Sequence, residues 1–513
     1  MILFENILLL MLVAILALQF SRGLAIPYPA VLAAAGVAVA ALPSVPVVAI
    51  DPALALALFI APALLDSAYD LPPRELRQHW APLLALAVMA VLLTAAAVAW
   101  LGMAWAGLPA VAALALGAVV APPDAAAASA MLGRLALPRS TVTVLKGESL
   151  FNDAAALLLL AAALELAAAP DEDFSTLLLH LAPAVPGGLL FGYAAGRLYL
   201  LLARQLKGTL GGILFQFVGT FGTWIIAERL HLSAILAVVV YGMTIAHTAP
   251  YRSSARERVH ASSVWESAVF LLNVLAFFLL GLQARDILLR LDPAPLREAL
   301  VLAGLVLLAV ILVRVAWVFV YGALARLVAR HDGPVSAPGW RPSLLAGWCG
   351  MRGLVTLAAA LALPGDFPGR DPIVISALGV VLGTLVLQGL TLVPLVRALG
   401  LHGDDGVSEE LAFARTALLD AGLAVLPAEG EAAAVLRDEY RAAREVAASG
   451  ENPRAVRDIE ALKRAAIVAK RDCLAGLRRS GRISDDVFHA LEQELDWAEL
   501  AATPADRQTI LEG

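Results

Sequence analysis

Over roughly its first 400 residues the chain strings together apolar runs of helix length, separated by short polar connections. Runs of about 20 apolar residues are long enough to cross a bilayer as helices, and only helices or closed barrels satisfy their backbone groups in lipid. The runs are too long, and too continuous, for the alternating strands of about ten residues that build an outer-membrane barrel. Of the 513 residues, 60% are hydrophobic and 16% charged. A soluble chain of this size carries far more charge, so the composition indicates an all-α polytopic membrane protein. The first run, 2–20, resembles a signal peptide in length. It carries Glu5 where a basic segment belongs and reads instead as a first membrane helix.

Hydropathy and helix breakers predict thirteen spans near 3–20, 26–42, 52–67, 80–101, 108–136, 141–168, 174–203, 210–229, 231–247, 260–283, 298–328, 340–364 and 372–399. Odd-numbered connections collect basic residues: Arg22, Arg74, Arg77, Arg134, Arg139, Arg204, Lys207, Arg252, Arg256, Arg258, Arg326, Arg330 and Arg341. Even-numbered ones hold mainly Asp51, Asp171, Glu172, Asp173, Arg229, Asp366, Arg370 and Asp371. Arg285, Arg290 and Arg297 break the pattern, offset by Asp286, Asp292 and Glu298. The positive-inside rule then puts the N-terminus outside and the C-terminal tail in the cytoplasm. From about Leu401 the composition turns polar, with Leu, Ala and Val at helical spacing among Arg, Glu and Asp in 409–425, 431–448 and 454–479. Residues 401–513 therefore read as an amphipathic helical tail following a transmembrane domain over 1–400.

Within the sixth predicted span lies Lys146-Gly147-Glu148-Ser149-Leu150-Phe151-Asn152-Asp153, followed by an unbroken apolar run from Ala154 to Leu164. At helical spacing Ser149 and Asp153 share one stripe, and Glu148 and Asn152 the adjacent one. Carboxylates in hydrocarbon cost several kcal/mol unless they are paired, hydrated or functional, so Asp153 is a functional candidate. The competing reading, with Glu148 and Asp153 at the head groups, leaves a span of about 15 residues, which is short.

Two predicted spans are interrupted. The fifth contains Pro122-Pro123-Asp124, and a proline pair in mid-helix removes two amide donors and clashes with the preceding turn. The twelfth contains Gly347, Gly350 and Gly353 around an intramembrane Arg352. If 174–203 is a linker helix, repeats over about 1–168 and 210–399 each carry six spans with the fifth broken. Matched interruptions of this kind point to a secondary transporter with inverted repeats, whose half-helix ends meet at the ion site. A further buried cation, Arg314, sits too deep for easy snorkelling and needs a carboxylate; Glu148 is the best candidate among the deep acids. Asn273, Gln216, Glu228 and Arg229 read as packing or interface residues, and Asp66 and Glu165 as interfacial.

Gly147-Glu148-Ser149-Leu150-Phe151-Asn152-Asp153 resembles the G-E-S-L-x-N-D motif of the electroneutral sodium/proton antiporters, which include bacterial NhaP proteins and animal exchangers. Gly350-Met351-Arg352-Gly353, with Thr356 three residues on, resembles that family's G-x-R-G-x-x-(S/T) helix. Trp265-Glu266, Asn273, Phe278–Gln283 and Glu228–Ser233 also match bacterial members, so the likeness covers about residues 1–400. The resemblance implies a thirteen-helix inverted-repeat fold with crossed broken helices, and a homodimer in the cell (inner) membrane. It also implies that Asp153 binds both cation and proton, with Asp124, Ser149 and Asn152 around it; for sodium the ligands would be Asp153, Asp124 and Ser149. Glu148 and Arg314 would form a structural ion pair, and Arg352 would be the charge following the second break. Where the family has threonine before the aspartate this chain has Pro123, which offers a carbonyl but no hydroxyl, and the following proline is Ala125.

The expected activity is secondary antiport of a monovalent cation against protons by alternating access, with Na+ and H+ competing for Asp153. Asn152 stands where a two-aspartate motif would add a charge, which the family pattern reads as one ion per proton. Potassium/proton or mixed sodium, potassium and lithium exchange is the alternative, and a cation channel a more distant one. A membrane aspartic protease would need its two acids in Y-D and G-x-G-D contexts, and neither occurs. No nucleotide loop, zinc motif or Cys/His nucleophile arrangement is present, and Cys349 and Cys473 form no recognisable framework. The expectation is therefore no enzyme, no bound cofactor and no nucleic-acid partner, only the bilayer, the cation and the proton.

Overall fold

The computed structural model describes residues 11–19, 28–40, 52–69, 80–124, 139–168, 182–206, 209–248, 255–290, 292–332, 339–401, 405–427, 429–448, 453–480, 482 and 485–502. The described secondary structure is helical throughout. The chain divides into two compact units, Met1–His402 and Gly403–Glu512.

In the first unit the helices are α1 (11–19), α2 (Tyr28–Ala40) and α3 (Pro52–Tyr69). Next comes α4, made of Trp80–Leu84, a π-helical turn Ala85–Met89 and Ala90–Ala106. Then follow α5 (Ala110–Val120), α6 (Arg139–Ala168), α7 (Ala184–Leu202), α8 (Leu210–Arg229) and α9 (Ala234–Thr248). The remainder are α10 (Ala255–Arg290), α11 (Pro293–Asp332), α12 (Trp340–Trp348), α13 (Leu354–Leu361) and α14 (Arg370–Leu399). By length and composition six stretches among the described residues can cross a membrane: 85–106, 147–168, 184–206, 257–279, 293–327 and 370–399. Shorter apolar helices accompany them at 54–69, 110–120 and 234–248.

The expected span 108–136 is a helix only as far as Val120, and 121–124 is non-helical. Residues 125–138 lie outside the described residues, as do Asp171–Asp173. So do Arg22, Arg74, Arg77, Arg134, Lys207 and Arg252, which carry much of the topological argument. Expected span 340–364 is two helices separated by Cys349–Gly353. Helices α10 and α11 run several residues beyond the apolar segments that announce them, because hydropathy marks the lipid-crossing part and not the helix end.

Helix α6 lies at the centre of the elements that matter for function. It packs against α5, against the π turn of α4, and against α3, α9, α12 and α13. Glycines permit the closest approaches. A Cβ on Gly147 would run into the Leu83 side chain, and one on Gly117 of α5 into the backbone of Ala95 in α4. The π turn is held from a third helix: the Trp317 indole N–H of α11 donates to the Ala85 carbonyl at 3.0 Å, which also accepts from the Ala90 amide. Three large buried clusters surround these contacts, one of them joining α5, α6, α11, α13 and α14 through Leu116, Leu160, Val306, Ala359 and Val380.

The second unit holds α15 (Asp405–Val425), α16 (Glu431–Ala448), α17 (Pro453–Arg479) and α18 (Asp485–Ala502). α15 packs on α16, tied by Arg444 to Asp420 at 2.5 Å, and α17 packs on α18, where Arg471 meets Asp496 and Glu499.

Because the Gly117 position faces backbone and not a yielding side chain, Gly117→Ala should lower stability by about 1–3 kcal/mol through overpacking. Gly304→Ala, where a Cβ meets nothing, is the control. Thermal unfolding of both variants in detergent is the measurement, and equal midpoints would refute the α4–α5 contact.

Candidate functional site

The first break follows directly from proline chemistry. In an unbroken α5 the amides of residues 122, 123 and 124 would bond the carbonyls of Ala118, Val119 and Val120. Pro122 and Pro123 have no N–H, and the Asp124 amide turns away to the Met351 carbonyl at 2.7 Å. Carbonyls freed inside a membrane must find internal donors. Arg352 supplies two donors at this end of the helix: its Nε donates to Val120 O at 2.9 Å and its Nη2 to Ala121 O at 3.1 Å.

The second break is the reciprocal half. α12 stops at Trp348, and the link Cys349–Gly353 brings Arg352 and the Met351 carbonyl to the end of α5. Arg352 Nη1 also donates to Gly350 O in its own link, and the Arg352 amide donates to the Thr384 hydroxyl of α14 at 3.0 Å. α13 then begins at Leu354, whose amide donates to Asp124 Oδ2 at 3.1 Å. Asp124 thus caps the N-terminus of α13, where the helix dipole favours a negative charge. Gly353 is required there, since a Cβ would collide with that carboxylate. Each interrupted helix therefore satisfies part of the loose backbone of the other.

Against this crossing lies the polar turn of α6. The Asn152 side-chain amide donates to the Pro123 carbonyl at 2.9 Å, while its own Oδ1 has no hydrogen-bond partner among the described residues. Asp153 is buried, 5% exposed, and close enough to Asp124 for their charges to interact. Ser149 lies one turn before Asp153 and is half-buried. On the neighbouring stripe Glu148 meets Arg314 of α11 in a two-pronged ion pair, with the second contact at 3.0 Å and side chains only 1% and 2% exposed. Arg314 Nη2 also donates to Ala346 O near the end of α12, so this cation links α6, α11 and α12.

The structure brings together Pro123, Asp124, Asn152, Asp153 and Arg352 at the crossing, and sets the Glu148–Arg314 pair beside them. Glu228 and Arg229 are exposed at the end of α8, Glu165 is exposed on α6, and Asp66 and Asn273 are half-buried on α3 and α10. Sequence reasoning did not find Thr384 or Trp317. Each lies in a mostly apolar helix, and its partner is a backbone atom more than 30 residues away.

The profile of the sodium/hydrogen exchanger transmembrane family matches residues 7–398. The chain belongs to that family. An uncharacterized Na(+)/H(+) exchanger of Mycobacterium tuberculosis, Rv2287, is 31% identical over 90% of this chain and 89% of its own length. The Na(+)/H(+) antiporter NhaS2 of Synechocystis is 30% identical over 81% of this chain and 74% of its own. Among solved structures, the sodium proton antiporter MjNhaP1 of Methanocaldococcus jannaschii superposes with a TM-score of 0.60 at 18% identity. It covers 78% of this chain and 100% of that one. The exchanger is thus a membrane antiporter of cations and protons, not an enzyme, and its helical fold is that of MjNhaP1.

In this exchanger, removing one member of the buried pair leaves the other charge without compensation. Arg314→Ala should cost about 3–5 kcal/mol of stability, and adding Glu148→Gln to it should recover part of the loss. Expression level and thermal unfolding of the purified protein report this; a double variant worse than the single would overturn it. Gly353→Ala should reduce exchange about tenfold or more by displacing Asp124, a cost typical of misplaced groups. Gly365→Ala, with open space around its Cβ, should exchange normally in the same vesicle assay.

Proposed function

We propose that the chain exchanges sodium for protons one for one, with both ions competing for Asp153. The observation that carries this reading is the commitment of both buried arginines. Arg314 is held by Glu148, and Arg352 donates to the carbonyls of Val120, Ala121 and Gly350, so the described bonds of neither cation go to Asp153. A buried carboxylate without a fixed countercharge is neutralised by what it can bind: a proton or a small cation. Oxygen ligands suited to a hard cation stand nearby in the Asp153 and Asp124 carboxylates, the Ser149 hydroxyl, the second lone pair of Pro123 O and the unpartnered Asn152 Oδ1.

Coupling follows from the same electrostatics. An empty site carries an extra negative charge into the low-dielectric barrier between the two access states, at a cost of several kcal/mol. Occupancy by either ion removes that charge, so only loaded forms cross readily. Proton and cation exclude each other at one carboxylate, and each outward crossing with one must be matched by an inward crossing with the other. With Asn152 neutral beside Asp153, one cation replaces one proton and no net charge moves. In the orientation expected from the loops, the N-terminus lies outside and the tail in the cytoplasm, in the cell membrane and as a homodimer.

A broader cation preference is the second reading. It is favoured by a relative 31% identical over 72% of this chain, the sodium, potassium, lithium and rubidium/H(+) antiporter of Bacillus pumilus. Loss of the threonine hydroxyl at Pro123 is compatible with such breadth, because it leaves fewer side-chain ligands to discriminate.

Proteoliposomes containing a fluorescent pH indicator test both. Wild type should move protons only when a counter-cation gradient is present, and a valinomycin-clamped potential should leave the rate unchanged. Asp153→Asn should abolish the signal while its thermal stability stays near wild type. Retained sodium-driven proton movement in that variant would reject the assignment, and equal rates with Na+, K+ and Li+ would select the broader reading.

A further inference from the structure

Helix α14 carries a polar stripe that exchange at Asp153 does not use. Thr384, Gln388 and Thr391 follow one another at spacings of four and three and so share one face. The two outer members hold the link between α12 and α13 and the last residue of α12. Thr384 accepts from the Arg352 amide at 3.0 Å, and Thr391 accepts from the Trp348 indole N–H at 2.9 Å. Gln388 lies one turn from each, which places it level with the part of the link between them, Cys349–Met351. It is 1% exposed, and among the described residues neither its Oε1 nor its Nε2 has a hydrogen-bond partner. The buried residues around that level, Cys349, Met351, Val381, Leu385 and Leu392, form one hydrophobic cluster.

A buried primary amide left without partners is destabilising for each orphaned group, a penalty that an apolar side chain in its place would not carry. Buried polar groups that the protein does not satisfy are characteristically met by an internal water making two to four hydrogen bonds (about three on average). The link beside Gln388 is non-helical, so it presents backbone groups that can complete such a set. We infer that Gln388 holds a buried water against the α12–α13 link and that this water, with Thr384 and Thr391, sets the register of the segment carrying Arg352. Gln388 is then a positioning residue for exchange: it acts on the crossing through the link and touches no transported ion.

Two sulfur side chains make the water observable. Met351 is fully buried and Cys349 is 2% exposed, so hydroxyl radicals from bulk solvent do not reach them. A water bound at the link, split in place by a brief X-ray pulse, releases a hydroxyl radical there, and these two sulfurs are the readily oxidised side chains of Cys349–Met351. The experiment is millisecond X-ray radiolysis of the full-length protein in nanodiscs, with peptide mass spectrometry of residues 349 and 351. Rapid oxidation at both in wild type is expected, falling at least several-fold in Gln388→Leu; absence of oxidation in wild type overturns the proposal whatever the variant does. Unchanged oxidation in a folded Gln388→Leu would show that Gln388 does not hold the water. In vesicles that variant should lose about tenfold in maximal exchange rate with the cation KM within twofold, the split expected of a lost positioning contact. Normal turnover together with lost labelling would refute the positioning role. The labelling readout does not depend on which cation is carried, so its failure is distinguishable from failure of the sodium assignment.

Discussion

Lipid offers no hydrogen bonds, so a helix interrupted inside a membrane has to be completed by another part of the same protein. Here the completion is mutual. Arg352 leaves the second break to cover the carbonyls of Val120 and Ala121, and Asp124 leaves the first to cover the amide of Leu354. One arginine and one aspartate therefore do for the crossing what a continuous hydrogen-bond ladder does elsewhere. Neither break is stable without the other, and a shift in one is transmitted to the other through bonds of 2.7–3.1 Å. Such an element can move as a body while its internal satisfaction is preserved, which is what a carrier of ions across a barrier requires.

The second arginine has the opposite task. Arg314 and Glu148 neutralise each other within α11 and α6, with a further bond to Ala346 in α12. Replacing such a pair by apolar residues is often no loss in stability, so its value lies in register. Glu148 and Asp153 are five residues apart on α6, and the guanidinium that holds the first fixes the depth and rotation at which the second meets Pro123 and Asp124. The Trp317 bond to Ala85 acts in the same sense one turn along α11, since it pins the π turn of α4 that α6 packs against. One buried cation is thus paired with a fixed anion and the other with backbone carbonyls, and under the proposed exchange Asp153 is left to the exchangeable ions.

Charge in an apolar run is a strong signal, and it made most of this site legible. Asp153, Glu148, Arg314 and Arg352 each stand out against hydrocarbon, and the arginine at 314 could be matched to Glu148 because deep acids are few. The interruptions were legible too, since Pro122-Pro123 and the glycines of 347–353 each break a helix by a local mechanism. What bonds to what was not. That Arg352 serves the opposite helix depends on how two chain segments more than 200 residues apart cross, and no spacing encodes that. Gly353 read as a helix breaker, but its tighter constraint is the Asp124 carboxylate above it. The tail read as helical over 401–513, but its last helix, Asp485–Ala502, is not among the segments that the spacing picked out.

Pro123 shows how one departure from a motif reshapes a site. A threonine there would bring a hydroxyl and an amide N–H; proline brings neither, and fixes φ near −65°. Its carbonyl is consequently the only polar atom that position contributes, and one of its lone pairs is already taken by Asn152. That bond orients the Asn152 amide so that its buried oxygen is left without a donor, and an oxygen in that state gains from any cation brought within reach. The hydroxyl missing at residue 123 is, under the proposed exchange, offset in part by this amide oxygen from α6, the helix that carries Asp153. Under the proposed exchange, more of the coordination shell then belongs to α6 and less to the first break. Discrimination among alkali ions would depend on how closely α6 can approach the crossing, a distance set by Gly147 against Leu83 and by the Glu148–Arg314 pair, and not on a side chain at residue 123.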